Sequence, residues 1–209
     1  MNPHWPRLIA FTGLSGAGKD TAAEPLAAAG YIRHNFGDLI KRELDTLISR
    51  HFQCSAFTEH RPDKERFRRT LEAWGEDNYH RLQAEYFRLI DHTPSNYVRI
   101  VNTRLVRVEE AKAWRERGGV LIEIHRPGLE PATEREAEWR WRIMPHTDAV
   151  VSNDGTPEVL HNRLFQWLDR WGANAAKTTQ APAASVQANV DGEGLRGGPS
   201  GPSDLVPSP

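Results

Sequence analysis

The segment with the clearest chemical meaning is a glycine-rich loop, Gly13-Leu14-Ser15-Gly16-Ala17-Gly18-Lys19-Asp20-Thr21. Glycines let a backbone fold around an anion without Cβ clashes, and the loop N–H groups then face the phosphates. Lys19 adds a mobile positive charge for the β- and γ-phosphates. The spacing from Gly13 through four residues to Gly18 and Lys19 matches a phosphate loop. The whole segment is therefore predicted to bind the phosphates of ATP.

The position after the lysine departs from the usual pattern. It normally holds Ser or Thr, whose hydroxyl binds Mg²⁺, and here it is Asp20, followed by Thr21. Both side chains offer an oxygen, directly or through water, so we expect one of them to hold Mg²⁺. The nine histidines show no spacing typical of a metal site. The single cysteine, Cys54, excludes an internal disulfide framework and a cysteine-based zinc site.

The elements around the loop are those that a phosphate loop requires. The apolar strand 8–12 precedes it, and a helix over about 18–29 follows it. Further short apolar runs alternate with helical patterns, which indicates crossover helices between parallel strands. The remaining strands are predicted at 31–34, 97–102, 120–125 and 148–152. We therefore expect an α/β P-loop NTPase fold, with a five-stranded, parallel, doubly wound sheet that binds ligands at the carboxyl ends of its strands.

Five further helical segments complete the predicted order. They span about 38–51, 64–90, 109–117, 133–141 and 157–171. Asp38 is predicted to cap the first of them, because a carboxylate accepts hydrogen bonds from free N–H groups at a helix start. The second is predicted to follow a turn at 61–63 and to break at Gly75, since glycine weakens a helix interior.

Composition divides the chain into two parts. Residues 172–209 contain no aromatic residue but hold six of the 16 glycines and five of the 14 prolines. Such a segment cannot bury enough apolar surface to offset its chain entropy, so a disordered tail is predicted there. Residues 1–171, with all seven tryptophans, are the predicted folded domain.

The overall charge and hydropathy exclude several classes of protein. The 27 Lys and Arg against 28 Asp and Glu give a net charge of −1, which argues against a protein that holds DNA by bulk charge. No apolar run approaches 18 residues, so no membrane partner is expected. The N-terminus lacks the features of a signal peptide. We expect a cytoplasmic protein, in the host cytoplasm if it is encoded by a phage.

Together with later motifs, the loop resembles the phage-type deoxynucleoside monophosphate kinases. The matching motifs, in chain order, are Gly16–Thr21, Phe36–Lys41, Arg68-Arg69, Asn102–Arg104, His125–Gly128 and Ser152–Gly155. They run over residues 8–170, and the ordered set is far more specific than the loop, which many ATPases share. The resemblance implies a phosphotransferase that moves the γ-phosphate of ATP, with Mg²⁺, to a deoxynucleotide-type acceptor.

The same resemblance assigns roles to charged residues. It implies that four basic residues face the acceptor: Lys41, Arg68, Arg69 and Arg104. It also implies a short helical lid over the ATP phosphates that carries Arg126, Arg135, Arg140 and Arg142. Phosphoryl transfer consists mainly of positioning and neutralisation of charge, for which the planar arginine fork is suited. Lys19, Arg104 and Arg126 are the residues predicted to act on the transferred group.

Two departures from the family bear on the acceptor. Asn102 stands where the family usually has an aspartate at the end of the third strand, and it is predicted to contact the acceptor by hydrogen bonding. Only 16 residues separate His51 from Arg68. Members of the family commonly carry a longer insertion between these positions, and that insertion closes over the nucleotide. A shorter cover implies a more open acceptor site, which suits a polymer.

Three functions therefore stay open. The favoured acceptor is the 5-hydroxymethyl group of 5-hydroxymethyl-deoxyuridine in phage DNA, as in a related branch of kinases that begin thymidine hypermodification. Asp38 would take the hydroxyl proton, and a basic and aromatic surface would grip the DNA through Arg61, Lys64, Arg66, Phe67, Arg68, Arg69 and Trp74. The second is a kinase of free deoxynucleoside monophosphates. The third is a nucleotide-binding switch module without transfer activity.

Overall fold

A five-stranded parallel sheet forms the centre of the protein. The computed structural model describes residues 4–94 and 98–180. The strands are β1 (Leu8–Thr12), β2 (Tyr31–Arg33), β3 (Arg99–Asn102), β4 (Val120–His125) and β5 (Ala149–Ser152). Their order is β2-β3-β1-β4-β5, and every neighbouring pair is parallel. The predicted α/β architecture is confirmed.

Helices cover both faces of this sheet. They are α1 (Lys19–Ala28), α2 (Phe36–Phe52), α3 (Arg61–Asp77), α4 (Tyr79–His92), α5 (Val108–Glu116), α6 (Glu134–Ile143) and α7 (Pro157–Gln180). A 3₁₀ turn, Met144–His146, follows α6. The predicted short helical lid corresponds to α6, which connects β4 to the last strand.

The apolar sequence of β1 reflects burial on both faces. Ile9 and Phe11 belong to a cluster with residues of α1 and α7, whereas Leu8 and Ala10 belong to a cluster with residues of α4 and α5. Successive strand residues point to opposite faces, so a central parallel strand has no polar side. As a result, the carboxyl end of β1 is held rigidly, and the phosphate loop starts there.

Two predicted helix boundaries are wrong. α2 begins at Phe36, two residues earlier than expected, and its N-cap is Asn35 rather than Asp38, which lies in the first turn. The long helix predicted over 64–90 is two helices that meet at Asn78, and the turn predicted at 61–63 is the first turn of α3.

Gly75 has a packing role instead of breaking the helix. It is buried in α3, and a Cβ at this position would lie 2.7 Å from Cδ1 of Ile40. The glycine therefore allows α3 to approach α2 closely. This contact belongs to the layer of helices beside β2, on the side where the acceptor was predicted.

The C-terminal helix passes the predicted end of the domain. α7 continues to Gln180, nine residues beyond Trp171, so the start of a disordered tail at residue 172 is wrong. Gly172 is buried, and a Cβ there would lie 3.0 Å from the carbonyl oxygen of His4. Residues 181–209 of the predicted tail lie outside the described residues. Within the ranges described above, no helix has the length and apolarity to cross a membrane.

Comparing two shortened chains tests the contribution of this extra helix. A chain that ends at Trp171 should melt about 2–4 °C below a chain that ends at Gln180, because about 1 kcal/mol of helix packing is lost. Calorimetry of both chains measures the difference. Equal melting temperatures would show that residues 172–180 add nothing to the folded domain.

Candidate active site

The phosphate loop depends on backbone angles that favour glycine. Gly13, Gly16 and Gly18 have φ values of +123°, +81° and +100°. A Cβ on Gly13 would also lie 2.3 Å from the carbonyl oxygen of Ile124 in β4. Side chains rarely adopt these angles, and the neighbouring strand leaves no room for one. The loop is thus pressed against the end of β4, with its exposed amides around a space suited to an anion.

The segment after β5 supports the loop from behind. Nδ2 of Asn153 donates a hydrogen bond to the carbonyl oxygen of Ala17 at 2.8 Å. A Cβ on Gly18 would lie 2.3 Å from the same nitrogen. His161 in α7 makes a 2.8 Å hydrogen bond to the carbonyl oxygen of Thr21. The sequence singles out the motif around Asn153 only by its resemblance. The structure shows that Asn153 holds a carbonyl of the loop and that His161, in the following helix, holds one of α1.

Lys19 lies folded along the loop. Its Nζ donates to the carbonyl oxygens of Gly13 at 2.8 Å and Leu14 at 2.7 Å. Burial lowers the pKa of Lys19, and the charge of Arg104 lowers it further, while Asp20 and Glu136 oppose this change. The structure therefore places Arg104, at the carboxyl end of β3, within electrostatic range of the loop lysine. The charges of these two residues, both predicted to act on the transferred phosphate, thus influence each other.

Asp20 and Thr21 lie at the start of α1, as predicted. The Asp20 carboxylate is exposed and accepts a hydrogen bond from Arg33 at the end of β2. Across residues 4–94 and 98–180, no three His, Cys, Asp or Glu side chains form a ready-made metal cluster. Mg²⁺ that arrives with a nucleotide needs only one or two protein oxygens, because phosphates and water supply the rest. The donor set fits such an ion.

A carboxylate of the lid reaches into the phosphate loop. The backbone N–H of Ser15 donates to Oε1 of Glu136 at 2.6 Å. The other carboxylate oxygen of Glu136 accepts from the N–H of Ala132 at 2.7 Å, and Thr133 caps α6 by accepting from the N–H of Glu136 at 3.1 Å. The Thr133-x-x-Glu136 spacing indicates a helix start, but no sequence signal revealed the contact with Ser15.

Three of the four predicted lid arginines have carboxylate partners. Arg140 donates from Nε and Nη2 to Oε1 of Glu123, a β4 residue that is only 1% exposed, at 2.9 and 2.7 Å. Arg135 is paired with Glu76 of α3, and Arg142 with Glu138 in the next turn of its own helix. Arg126 is exposed just after β4. Arg135 and Arg140 thus dock α6 on α3 and the sheet.

Asn102 is part of a buried chain of hydrogen bonds. It is 2% exposed, and its Nδ2 donates to the hydroxyl of Tyr86 at 2.8 Å, which donates to the carbonyl oxygen of His34 at 2.9 Å. Its Oδ1 accepts from the N–H of Arg104 at 2.7 Å. Asn102 therefore positions Arg104 and the end of β2. Because the Tyr86 hydroxyl donates its own proton to His34, it requires a donor at residue 102. No feature of the sequence singles out Tyr86.

Asp38 and Lys41 lie together on α2 beside the end of β2. Nζ of Lys41 is 3.8 Å from the Asp38 carboxylate and 5.3 Å from the ring centre of Phe57. The pKa of Glu59 is lowered mainly by its hydrogen bond to Lys64, and also by the charges of Lys41 and Arg33. Because Arg33 also contacts Asp20, this group adjoins the start of α1.

Arg68 and Arg69 lie on the exposed surface of α3. Arg68 is paired with Glu65 at 2.6 Å. No contact within the described residues joins either arginine to the phosphate loop. The basic residues Lys64 and Arg66 of the predicted DNA surface are likewise paired, with Glu59 and Asp63.

The aromatic residues of the predicted DNA surface differ in exposure. Phe67 is 1% exposed and packs in the core between α2 and α3, so it is not available for stacking on a base. Trp74 is 39% exposed, and its Nε1 donates to Glu43 at 2.8 Å.

The parallel sheet and the glycine-rich loop after β1 together define a P-loop NTPase fold. No family model matches the chain. A protein of Acanthamoeba polyphaga mimivirus, named "Putative deoxynucleotide monophosphate kinase", is 28% identical over 187 residues, a match that covers 78% of this chain and 96% of that protein.

Solved structures of kinases are similar to this chain. Dephospho-CoA kinase from Campylobacter jejuni superposes with a TM-score of 0.51 at 10% identity, over 81% of this chain and 98% of that one. Shikimate kinase from Aquifex aeolicus superposes with a TM-score of 0.46 at 18% identity, over 80% and 98%. The first of these supports the fold alone, since so low an identity says nothing about the substrate.

Two alanine substitutions in the loop should distinguish the effect of backbone strain on ATP binding from the effect of a steric clash. Gly16→Ala places its Cβ in open space, whereas Gly18→Ala places it against Asn153. Gly16→Ala should weaken ATP binding severalfold through strain of about 1–2 kcal/mol, and Gly18→Ala should weaken it by at least a further factor of about ten. Calorimetric titration with ATP measures both. Equal losses would show that Asn153 yields to the new side chain.

Asn102→Asp should destabilise the fold. Aspartate cannot donate to the Tyr86 hydroxyl. Either the carboxylate oxygen and the hydroxyl oxygen then face each other without a shared proton, or the hydroxyl donates to the carboxylate and loses its bond to the His34 carbonyl. The expected cost is about 1–3 kcal/mol, measured as the free energy of unfolding in urea. The exposed Asn162→Asp is the matched control and should change stability by less than about 0.5 kcal/mol. Similar values for both variants would contradict this role for Asn102.

Proposed function

We propose that this P-loop kinase transfers the γ-phosphate of ATP to a deoxynucleoside monophosphate. The observation that carries the proposal is the phosphate loop at the end of β1, with Lys19 inside it and Arg104 within electrostatic range. A nucleotide acceptor is supported by the named activity of the mimivirus relative. The ordered motifs that resemble deoxynucleoside monophosphate kinases agree with it.

The loop fits the phosphates of ATP. Its three glycines have positive φ values, and two of them lie too close to Ile124 and Asn153 to carry a Cβ; its amides and Lys19 supply donors and positive charge. Lys19 has a flexible stem, so its Nζ exchanges the Gly13 and Leu14 carbonyls for phosphate oxygens. Asp20 or Thr21 would hold the Mg²⁺ that accompanies ATP and neutralises charge on its phosphates.

In the proposed reaction an acceptor phosphate oxygen attacks Pγ. The new bond joins this oxygen to Pγ, the bond between Pγ and the β,γ-bridging oxygen breaks, and ADP leaves with that electron pair. Arg104 and Lys19 offset the charge on the transferred group, and we assign Arg126, which follows β4, to the ATP side. A monophosphate is already an oxyanion, so no proton has to be removed.

The acceptor side of the site lies at the ends of β2 and β3. Lys41 provides a half-buried cation there, and the Phe57 ring beside it is 40% exposed. We assign Lys41 to the acceptor phosphate. Arg68 and Arg69 stay candidates for the outer part of the acceptor site, where Arg68 would have to exchange its bond to Glu65 for the substrate.

The 5-hydroxymethyl group of 5-hydroxymethyl-deoxyuridine in DNA is the alternative acceptor. It would need a base, and Asp38 is half-buried beside Lys41 in a suitable region. The pairing of Lys64, Arg66 and Arg68 with carboxylates, and the burial of Phe67, leave less free surface for DNA than the sequence suggested. We therefore favour the free monophosphate.

An acceptor assay distinguishes the three functions. Purified protein receives γ-labelled ATP with Mg²⁺ and one of the four deoxynucleoside monophosphates, DNA that contains 5-hydroxymethyluracil, or ordinary DNA. We expect label in a free deoxynucleoside diphosphate. Lys19→Ala should reduce the transfer rate at least about a hundredfold, because a charge on the transferred group is lost, whereas Lys112→Ala on the exposed surface of α5 should leave it unchanged.

Other results would reject the proposal in specific ways. Label confined to the modified DNA would replace the monophosphate with the DNA acceptor. ATP binding without transfer to any acceptor would favour the switch module. Full transfer by Lys19→Ala would overturn the assignment of the phosphate loop itself.

A further inference from the structure

The lid residue Glu136 occupies a hydrogen-bond donor of the phosphate loop. Its Oε1 accepts from the backbone N–H of Ser15 at 2.6 Å, a short distance typical of a charge-assisted bond. Backbone amides of such a loop are the groups that bind nucleotide phosphates. A protein carboxylate and a phosphate oxygen therefore require the same donor.

The contact is not needed to build the lid. The second oxygen of Glu136 already accepts from Ala132, and the hydroxyl of Thr133 caps the helix. These bonds account for the start of α6 on their own. The bond from Ser15 is additional, and it joins two segments that lie 121 residues apart in the chain.

The position of α6 explains how the carboxylate reaches the loop. Glu136 and Arg140 are four residues apart, so they share one face of the helix. Arg140 anchors this face on the buried carboxylate of Glu123, in the strand that lies beside the loop. The same anchoring brings Glu136 over Ser15.

The contact lies at the end of the loop where the terminal phosphates bind. Nζ of Lys19 bonds to the carbonyls of Gly13 and Leu14, directly before Ser15, and the charge of Glu136 acts on that ammonium group. A phosphate-loop lysine serves the β- and γ-phosphates. Glu136 and these phosphates thus compete for one amide and one cation.

We propose that Glu136 is a determinant of nucleotide affinity and selectivity in the donor site: it holds the Ser15 amide and gives it up to the terminal phosphates of ATP. Binding exchanges one anion for another at the loop. The apparent affinity for ATP is reduced by the fraction of molecules in which Glu136 holds the amide. AMP, which lacks β- and γ-phosphates, does not compete with it. The inference rests on the proposed use of ATP, but not on the identity of the acceptor.

Direct binding measurements on the full chain test this inference. Glu136→Gln should lower the Kd for ATP roughly three- to tenfold, since the amide is then free more often. Glu136→Asp should also lower it roughly threefold, because the shorter side chain keeps the charge but does not reach Ser15. The Kd for AMP should change less than about twofold in both variants. Melting temperatures establish that each variant is folded.

Glu138→Gln is the matched control for charge. It removes the same charge from the same helix, but Glu138 pairs with Arg142 and does not contact the loop. Its Kd for ATP should stay within about twofold of wild type. Equal tightening in Glu138→Gln, equal tightening toward AMP, or an unchanged ATP Kd in folded Glu136→Gln and Glu136→Asp would each overturn the inference.

The proposed function fails in a different way. Wild-type protein that binds ATP but labels no acceptor would reject the kinase reaction and leave the role of Glu136 measurable. Wild-type protein that binds no ATP would reject both.

Discussion

The site depends on one constraint, which is that the backbone amides after β1 must stay available to an anion. Most backbone N–H groups in a protein are used by secondary structure. Here the chain leaves a fully buried central strand, turns through three glycines with positive φ and enters α1. Burial on both faces fixes the strand, and the Ile124 carbonyl and the Asn153 amide confine the turn between them. The remaining arrangement of charged groups follows from this fixed loop.

Charges around the loop are arranged in pairs. Lys19 donates to carbonyl oxygens, and Arg140 donates to Glu123. Asp20 forms an ion pair with Arg33, and Glu136 accepts from a backbone amide. A buried or half-buried charge needs such a partner, because leaving it unpaired away from water is costly. A substrate with several negative charges therefore enters a site whose cations and donors already have partners. Its affinity is the difference between the new contacts and those that it replaces.

Much of the architecture could be predicted from local patterns. β1 and β4 have the predicted bounds, because each is a short, mainly apolar run next to a glycine. The phosphate loop follows from its spacing. The predicted start of α2 was wrong. Asn35 occupies the N-cap position, but its side-chain oxygen accepts from the backbone N–H of Thr103 instead of capping its own helix. The break assigned to Gly75 was wrong because packing against Ile40 also selects glycine, and one sequence does not separate these causes.

The contacts that adjust the site could not be predicted in this way. The contacts of Asn102 depend on the direction in which Tyr86 donates its proton, and the contact of Glu136 depends on where Arg140 anchors the lid on a buried carboxylate. Both are long-range contacts between side chains whose own neighbours in sequence carry no sign of them. Residue type and spacing identify the chemical groups, whereas the packing of helices on the sheet decides which of them meet.

Glu76 forms ion pairs with cations on two separate elements of the structure. This α3 carboxylate pairs with Arg135 of the lid and also with Arg107, which precedes α5, and the Trp139 ring lies beside both guanidinium groups. A movement of α6 would therefore leave Glu76 with a single cation and change the electrostatic environment of α3 and the start of α5. Linkage is reciprocal, so any change in acceptor affinity that donor binding produces through this carboxylate is matched by an equal change in donor affinity when the acceptor binds.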